Sequence, residues 1–180
     1  RILAAAVLSG ALLLFLCAAW QLRIQQREIE DGTRKQIGLW LRQQAASPAD
    51  SVFLEPLGYI GFFSQLKMLD TPGLCAPEVV AAERRLETTS LAEVIPEVRP
   101  DWLVLRAAEA RQIQKLTPQL LTETYSVAKV FDATDRVASH PWLPGRGYLL
   151  FDQEFIVYKR NRIGSDKHRS RVFPPPYPPL

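Results

Sequence analysis

The sequence predicts an α/β protein on a membrane stalk: one N-terminal transmembrane helix, then a small, mostly parallel sheet with flanking helices and a C-terminal antiparallel hairpin, then a disordered basic, Pro-rich tail. Three observations predict it. Ile2 to Trp20 carry no charge, short runs of branched and aromatic apolar residues alternate with helical periodicity, and residues 162–180 concentrate charge and proline. The implied segments are a transmembrane helix over 1–21, a connecting amphipathic helix over 22–48, a soluble α/β domain over 49–161 and the tail over 162–180.

Within the apolar run only Ser9 and Gly10 interrupt, and a helix tolerates both in lipid. Its length of about 28 Å at 1.5 Å per residue matches a hydrocarbon core, and Trp20 stands where an interfacial aromatic belongs. A cleaved signal peptide is the competing reading, because Arg1 precedes the run and Cys17-Ala18-Ala19 lie near its end. The run is longer than the roughly 7–15 residues of a signal core, and Leu16 before Cys17 is a poor lipoprotein signal. A first residue of Arg1 instead of Met leads us to expect upstream sequence or processing.

Beyond Trp20 the chain turns polar, and Ile37, Trp40, Leu41 and Ala45 then recur at helical spacing. Asp31 or Thr33 is expected to cap this helix and Pro48 to end it. Ser51–Leu54 and Leu66–Leu69 read as buried strands broken by Gly58 and Gly61. Pro77 suits the first turn of a helix to Leu86, and Ser90-Leu91-Ala92-Glu93 is a capping-box pattern that opens a second. Trp102–Leu105 is the clearest strand; Thr117-Pro118 starts a short helix, and Tyr125–Phe131 suits another strand. Tyr148–Phe151 and Glu154–Tyr158 flank Asp152-Gln153 at hairpin spacing.

The net charge of +3 is misleading. Six cations against one acid between Lys159 and Arg171 contribute about +5, leaving the remainder near −2. A folded domain without a basic face gives no reason to expect nucleic acid, and the lipid bilayer is the predicted partner. Cys17 and Cys75 form no disulfide framework, and P-loop, dinucleotide and zinc signatures are missing from the sequence. His140 and His168 are the only histidines, so no metal or cofactor is expected. The prolines at 174–179 would suit a Pro-binding module.

The informative stretch is EPLGYIGFFSQLKMLDTPGL, Glu55 to Leu74. Two strands would deliver Glu55 and Asp70 to one edge of the sheet, the glycines would permit close backbone approach, and Tyr59 would add a hydroxyl, so that these residues line a polar cleft. The alternative is that Glu55 and Asp70 cap nearby amides while Tyr59, Phe62 and Phe63 pack.

A spanning helix, a connecting helix with a Trp-Leu pair, a Gly-Tyr-Ile-Gly-Phe-Phe-Ser turn, a strand ending in Asp-Thr-Pro-Gly-Leu, Arg99 to Leu105 and the strand at Phe155–Arg160 together resemble the C-terminal part of bacterial GT-C glycosyltransferases. Those membrane enzymes transfer sugar from polyprenyl-phosphate donors, and many end in a small extracytoplasmic α/β domain. The resemblance implies that Tyr59, Gly61, Ser64, Asp70, Gly73 and Leu74 occupy that domain's characteristic turn and strand end, with Gly58 beside them; Glu55-Pro56 depart from the family's pattern, so the substrate-binding reading of Glu55 rests on the cleft alone. It supplies no catalytic residue here. It implies an accessory domain on the periplasmic side of the inner membrane, serving a polyprenyl-phosphate-linked sugar and a glycan acceptor. The different reading is a single-pass anchored binding module. Arg23, Arg27, Arg34 and Lys35 just after the helix would by the positive-inside rule favour the cytoplasm, whereas Glu28, Glu30 and Asp31 mark a mixed-charge face.

Overall fold

A computed structural model describes residues 1–161; the Pro-rich tail lies outside the described residues. Helix α1 (Ile2–Gln25), a π-helical segment (Gln26–Arg34) and α2 (Lys35–Gln44) run as one helix of 43 residues. The apolar part of α1 is unburied and is long and apolar enough to cross a bilayer, which supports the membrane anchor read from the sequence. Contrary to expectation, neither Asp31 nor Thr33 starts a new helix: no proline falls before Pro48, and the junction residues Gln25 and Arg34 keep right-handed helical dihedrals. Thr33 instead donates its hydroxyl to the Glu28 carbonyl five residues back, at 2.8 Å, within the wider turn. The helix stops where Ala45 becomes extended, and Asp50 accepts from the Ala46 amide at 3.0 Å.

Then follow β1 (Ser51–Leu54), α3 (Leu57–Ser64), β2 (Lys67–Asp70), α4 (Pro77–Leu86), α5 (Leu91–Val98), β3 (Trp102–Arg106) and α6 (Ala107–Leu116). A π-helical turn (Leu120–Thr124), β4 (Tyr125–Asp132), α7 (Thr134–Ala138), α8 (Arg146–Phe151) and β5 (Glu154–Arg160) complete the fold. The sheet order is β2-β1-β3-β5-β4, with β1 parallel to β2 and β3, and β5 antiparallel to β3 and β4. The α/β class read from the sequence is therefore correct.

Alternation along the strands sends side chains to both faces. Val52, Leu54, Trp102 and Val104 meet Ile37 and Leu41 of α2 and Ile60 of α3 on one side. Phe53, Leu103 and Leu105 meet Val79 of α4, Ile95 of α5 and Ile113 of α6 on the other. Both layers are needed, because every residue of β3 is buried. A third cluster joins Ile24 and Ile29 of the stalk to Ala133, Val137, Leu143 and Leu149.

Three local expectations need correction, and one unassigned stretch gains a helix. The stretch containing Gly58 and Gly61 is the helix α3, not a turn: Ile60 and Ser64, four apart, are its buried face. Tyr148–Phe151 belongs to α8, so the hairpin across Asp152-Gln153 does not form; Leu149 is its one buried residue, and β4 already fills the sheet position beside β5 with a register from Tyr125↔Arg160 to Asp132↔Glu154. Ser90 starts α5 without a side-chain cap bond, its own amide donating to Thr88 Oγ1 at 3.1 Å. Residues 107–116, unassigned from sequence, are helical, with Ala110 and Ile113 turned to the core.

Gly38 sets the contact of α2 with α3, since a Cβ there would lie 2.9 Å from both the Ile60 carbonyl oxygen and the Phe63 Cβ. At Gly58 a Cβ meets nothing within 4 Å. Gly38→Val is expected to lower unfolding free energy by about 2 kcal/mol or more, whereas Gly58→Ala should leave it unchanged or raise it by up to about 1 kcal/mol. Denaturant titrations of the chain in detergent, followed by far-ultraviolet circular dichroism, measure both.

Candidate functional site at the carboxyl edge of the sheet

Strands β1, β2, β3 and β4 all end at one edge. After β1 the chain enters α3 on one face, and after β3 it enters α6 on the opposite face. The edge between β1 and β3 is thus a topological switch point, where open α/β sheets bind ligands.

Arg106 fills it. Its side chain is 5% exposed, and each guanidinium nitrogen donates to a different carboxylate: Nε to Asp152 at 2.6 Å, Nη1 to Glu109 at 2.9 Å and Nη2 to Glu55. Glu109 also accepts from the Arg106 amide at 2.7 Å, which fixes the first turn of α6. Phe151 covers the guanidinium with its ring centroid 4.5 Å away. Burial works against the Arg106 charge, but Asp152, then Glu55 and Glu109, outweigh it and hold its pKa above the ordinary value. The second oxygen of Asp152 accepts from Arg34 Nη2 at 2.5 Å, and Arg34 Nη1 reaches Glu30 at 2.8 Å. A chain of ion pairs therefore runs from the stalk, through Asp152, to the ends of β3 and β1. Two guanidiniums face four carboxylates there, a balance that favours no phosphate.

Asp70 is buried at the end of β2 and is committed to the loop that follows the cis Thr71–Pro72 bond. It accepts from the Leu74 amide at 2.6 Å, the Cys75 amide at 2.9 Å and the Cys75 thiol at 3.0 Å. Burial alone would raise its pKa; the Cys75 and Leu74 hydrogen bonds outweigh that and leave it lowered. Burial first, and then Asp70, push the Cys75 thiol up to about 11. Gly73 needs its missing side chain: φ is +85° and a Cβ would lie 2.4 Å from Val80 Cγ2. Leu74 is exposed beside a shallow open depression formed with Cys75, Pro77, Val80 and Arg84.

Of the residues proposed from sequence, Glu55 and Asp70 do emerge at one edge, but they serve different partners. Tyr59 accepts a hydrogen bond from Gln26 of the stalk at 2.7 Å. Ser64 is buried, its hydroxyl accepting from the Leu66 amide at 3.4 Å and lying 3.3 Å from the Gly61 carbonyl it donates to. Gly61 lets Met68 approach, to 3.2 Å of a would-be Cβ. Sequence reasoning missed Arg106, Asp152, Arg34 and Glu30. An arginine ending an otherwise apolar strand, with Glu109 three residues on, was the available signal; the pairings with positions 34 and 152 had none. Among the described residues no three His, Cys, Asp or Glu side chains gather as a metal would require.

The model of a domain of unknown function, DUF8728, matches residues 20–158. The chain belongs to that family. No curated protein and no solved structure matches it. The DUF8728 match begins at Trp20, so the π-helical part of the stalk and every member of the ion-pair chain fall within the family's domain.

Arg106→Ala strands Asp152 and should cost about 3–5 kcal/mol of unfolding free energy, with Arg106→Lys recovering only part because one ammonium cannot serve three carboxylates at once; denaturant midpoints test this. In a Cys17→Ala background, alkylation of Cys75 should be slow near neutral pH and follow a midpoint near 11. Asp70→Asn should move that midpoint down toward the ordinary 9.0. Because the folded Asp70 carboxyl lies below its unfolded value of 3.8, its contribution to stability is present above that pH and lost as pH falls through the folded value.

Proposed function

We propose that this membrane-anchored DUF8728 chain is the accessory domain of an envelope glycosyltransferase, holding a glycan acceptor close to the bilayer while transfer from a polyprenyl-phosphate-linked sugar proceeds on residues outside it. The observation that carries the reading is the state of the sheet's carboxyl edge: it adjoins the membrane stalk, and its carboxylates are engaged in ion pairs and loop hydrogen bonds instead of standing free for acid or base work. Such an edge positions and braces. The likeness of the Gly-Tyr-Ile-Gly-Phe-Phe-Ser and Asp-Thr-Pro-Gly-Leu stretches to GT-C enzymes supports the sugar chemistry.

On this reading the domain lies on the periplasmic side of a bacterial inner membrane. Three of the cations that favour the opposite side have a role in the fold: Arg27 pairs with Glu28 at 2.6 Å, Arg34 with Glu30 and Asp152, and Lys35 with Asp31 at 3.9 Å. Their presence beside the membrane helix thus has a cause other than topology.

Deleting residues 49–161 in the native membrane is expected to abolish or strongly reduce incorporation of labelled sugar into envelope glycan. Unchanged incorporation would remove the transferase assignment and leave an anchored binding module. For sidedness, Lys115→Cys on the exposed face of α6, with Cys75 replaced, should react with an impermeant maleimide on intact cells whose outer membrane has been permeabilised; labelling only after lysis would put the domain in the cytoplasm.

A further inference from the structure

The lobe between β4 and β5 climbs the stalk. Leu143 and Leu149 pack on Ile24 and Ile29, and His140 Nε2 lies 3.3 Å from Arg27 Nη2. Higher still, Gly145 abuts Gln21: a Cβ at Gly145 would stand 2.5 Å from the Gln21 Nε2. On α1 the partly or fully covered residues Cys17, Gln21, Ile24 and Gln25 lie three and four apart on one helix face, and that face meets the lobe at Gln21 and Ile24. Gln21 is the first polar residue after the apolar run ends at Trp20. The tip of the lobe is therefore level with the boundary of the bilayer.

Within five residues of Gly145 the lobe shows water a surface of the wrong kind. Trp142 is 87% exposed, Tyr148 58% and Leu150 43%, although Leu143 and Leu149 beside them already supply the buried face. A short helix and its entry loop thus carry apolar residues outside as well as inside. Trp and Tyr are the side chains that favour the headgroup region, with an apolar ring and one polar atom. Trp20 and Leu22, exposed on the stalk, flank the Gln21 that Gly145 abuts.

We propose that Trp142, Tyr148 and Leu150 form a second membrane contact, inserted into the interface of the leaflet that α1 leaves. The domain then rests on lipid at two places, the spanning helix and this lobe. The proposal depends on α1 spanning the bilayer but not on the sugar chemistry.

The test uses the whole chain in phosphatidylcholine vesicles, with Cys17→Ala and Cys75→Ser, and a nitroxide on a single cysteine at Gly147, where a Cβ meets nothing within 4 Å. Relaxation by oxygen, which concentrates in lipid, is compared with relaxation by a water-soluble nickel chelate. At position 147 oxygen accessibility should exceed nickel accessibility, the reverse of a label at exposed Lys115, and Trp142→Ser/Tyr148→Ser/Leu150→Ser should reverse the order at 147. Nickel dominance at 147 with the three residues intact overturns the proposal, as does shielding from both reagents, which would mean a protein neighbour, or an order that survives the triple substitution. A label at Leu13 separates the failures: if it too is nickel-accessible, the anchor itself is wrong, and if it is oxygen-accessible while 147 is not, only the lobe contact falls.

Discussion

The guanidinium of Arg106 is the constraint on which the other parts of the structure hang. Strand β3 carries it to a depth where a lone cation would be prohibitively costly, and three carboxylates from three separate segments converge to satisfy it. Glu55 brings the end of β1, Glu109 the start of α6, and Asp152 the approach to β5. Charge compensation therefore brings these segments together at one point, in addition to the apolar packing of the sheet faces. Asp152 then passes the requirement on to Arg34, and the membrane stalk is drawn into the same geometry.

This arrangement explains why the stalk does not break between its membrane half and its domain half. The π-helical segment Gln26–Arg34 has Ile29 on the third core and Glu30 on Arg34, and it presents Arg34 to Asp152. A wider turn rotates the face of a helix relative to what precedes it. Glu28 adds a second tie, an ion pair with Arg136 at 3.1 Å, and Gln26 a third through Tyr59. Stalk and sheet edge are one structural unit, and a family match that begins at Trp20 agrees with that division.

What the sequence made legible was whatever depends on short-range pattern. The apolar run, the buried strand at Trp102–Leu105 and the Pro77 helix start follow from composition and spacing within one element, and all three are where they were read. The failures share a cause. Gly58 and Gly61 suggested a turn, yet the Ile60–Ser64 spacing that buries α3 on α2 depends on Gly38, some twenty residues away in sequence. Tyr148–Phe151 looked like a strand because it is apolar, and only the arrival of β4 beside β5 shows that no sheet position remained for it. The site divided in the same way: Asp70 capping its own loop was open to local reasoning, whereas Arg106 with Asp152 and Arg34 was not, because nothing in a sequence of one chain couples positions so far apart.

The unbroken stalk also governs where the domain can go. A flexible linker of the length of residues 21–44 would let a tethered body range over about 25–30 Å, diluting it through a hemisphere above its anchor. A helix locked by Arg34 and Ile29 abolishes that search and converts it into a fixed altitude, with the sheet edge facing back toward the lipid. The domain is then held at one height above its anchor and kept from every other.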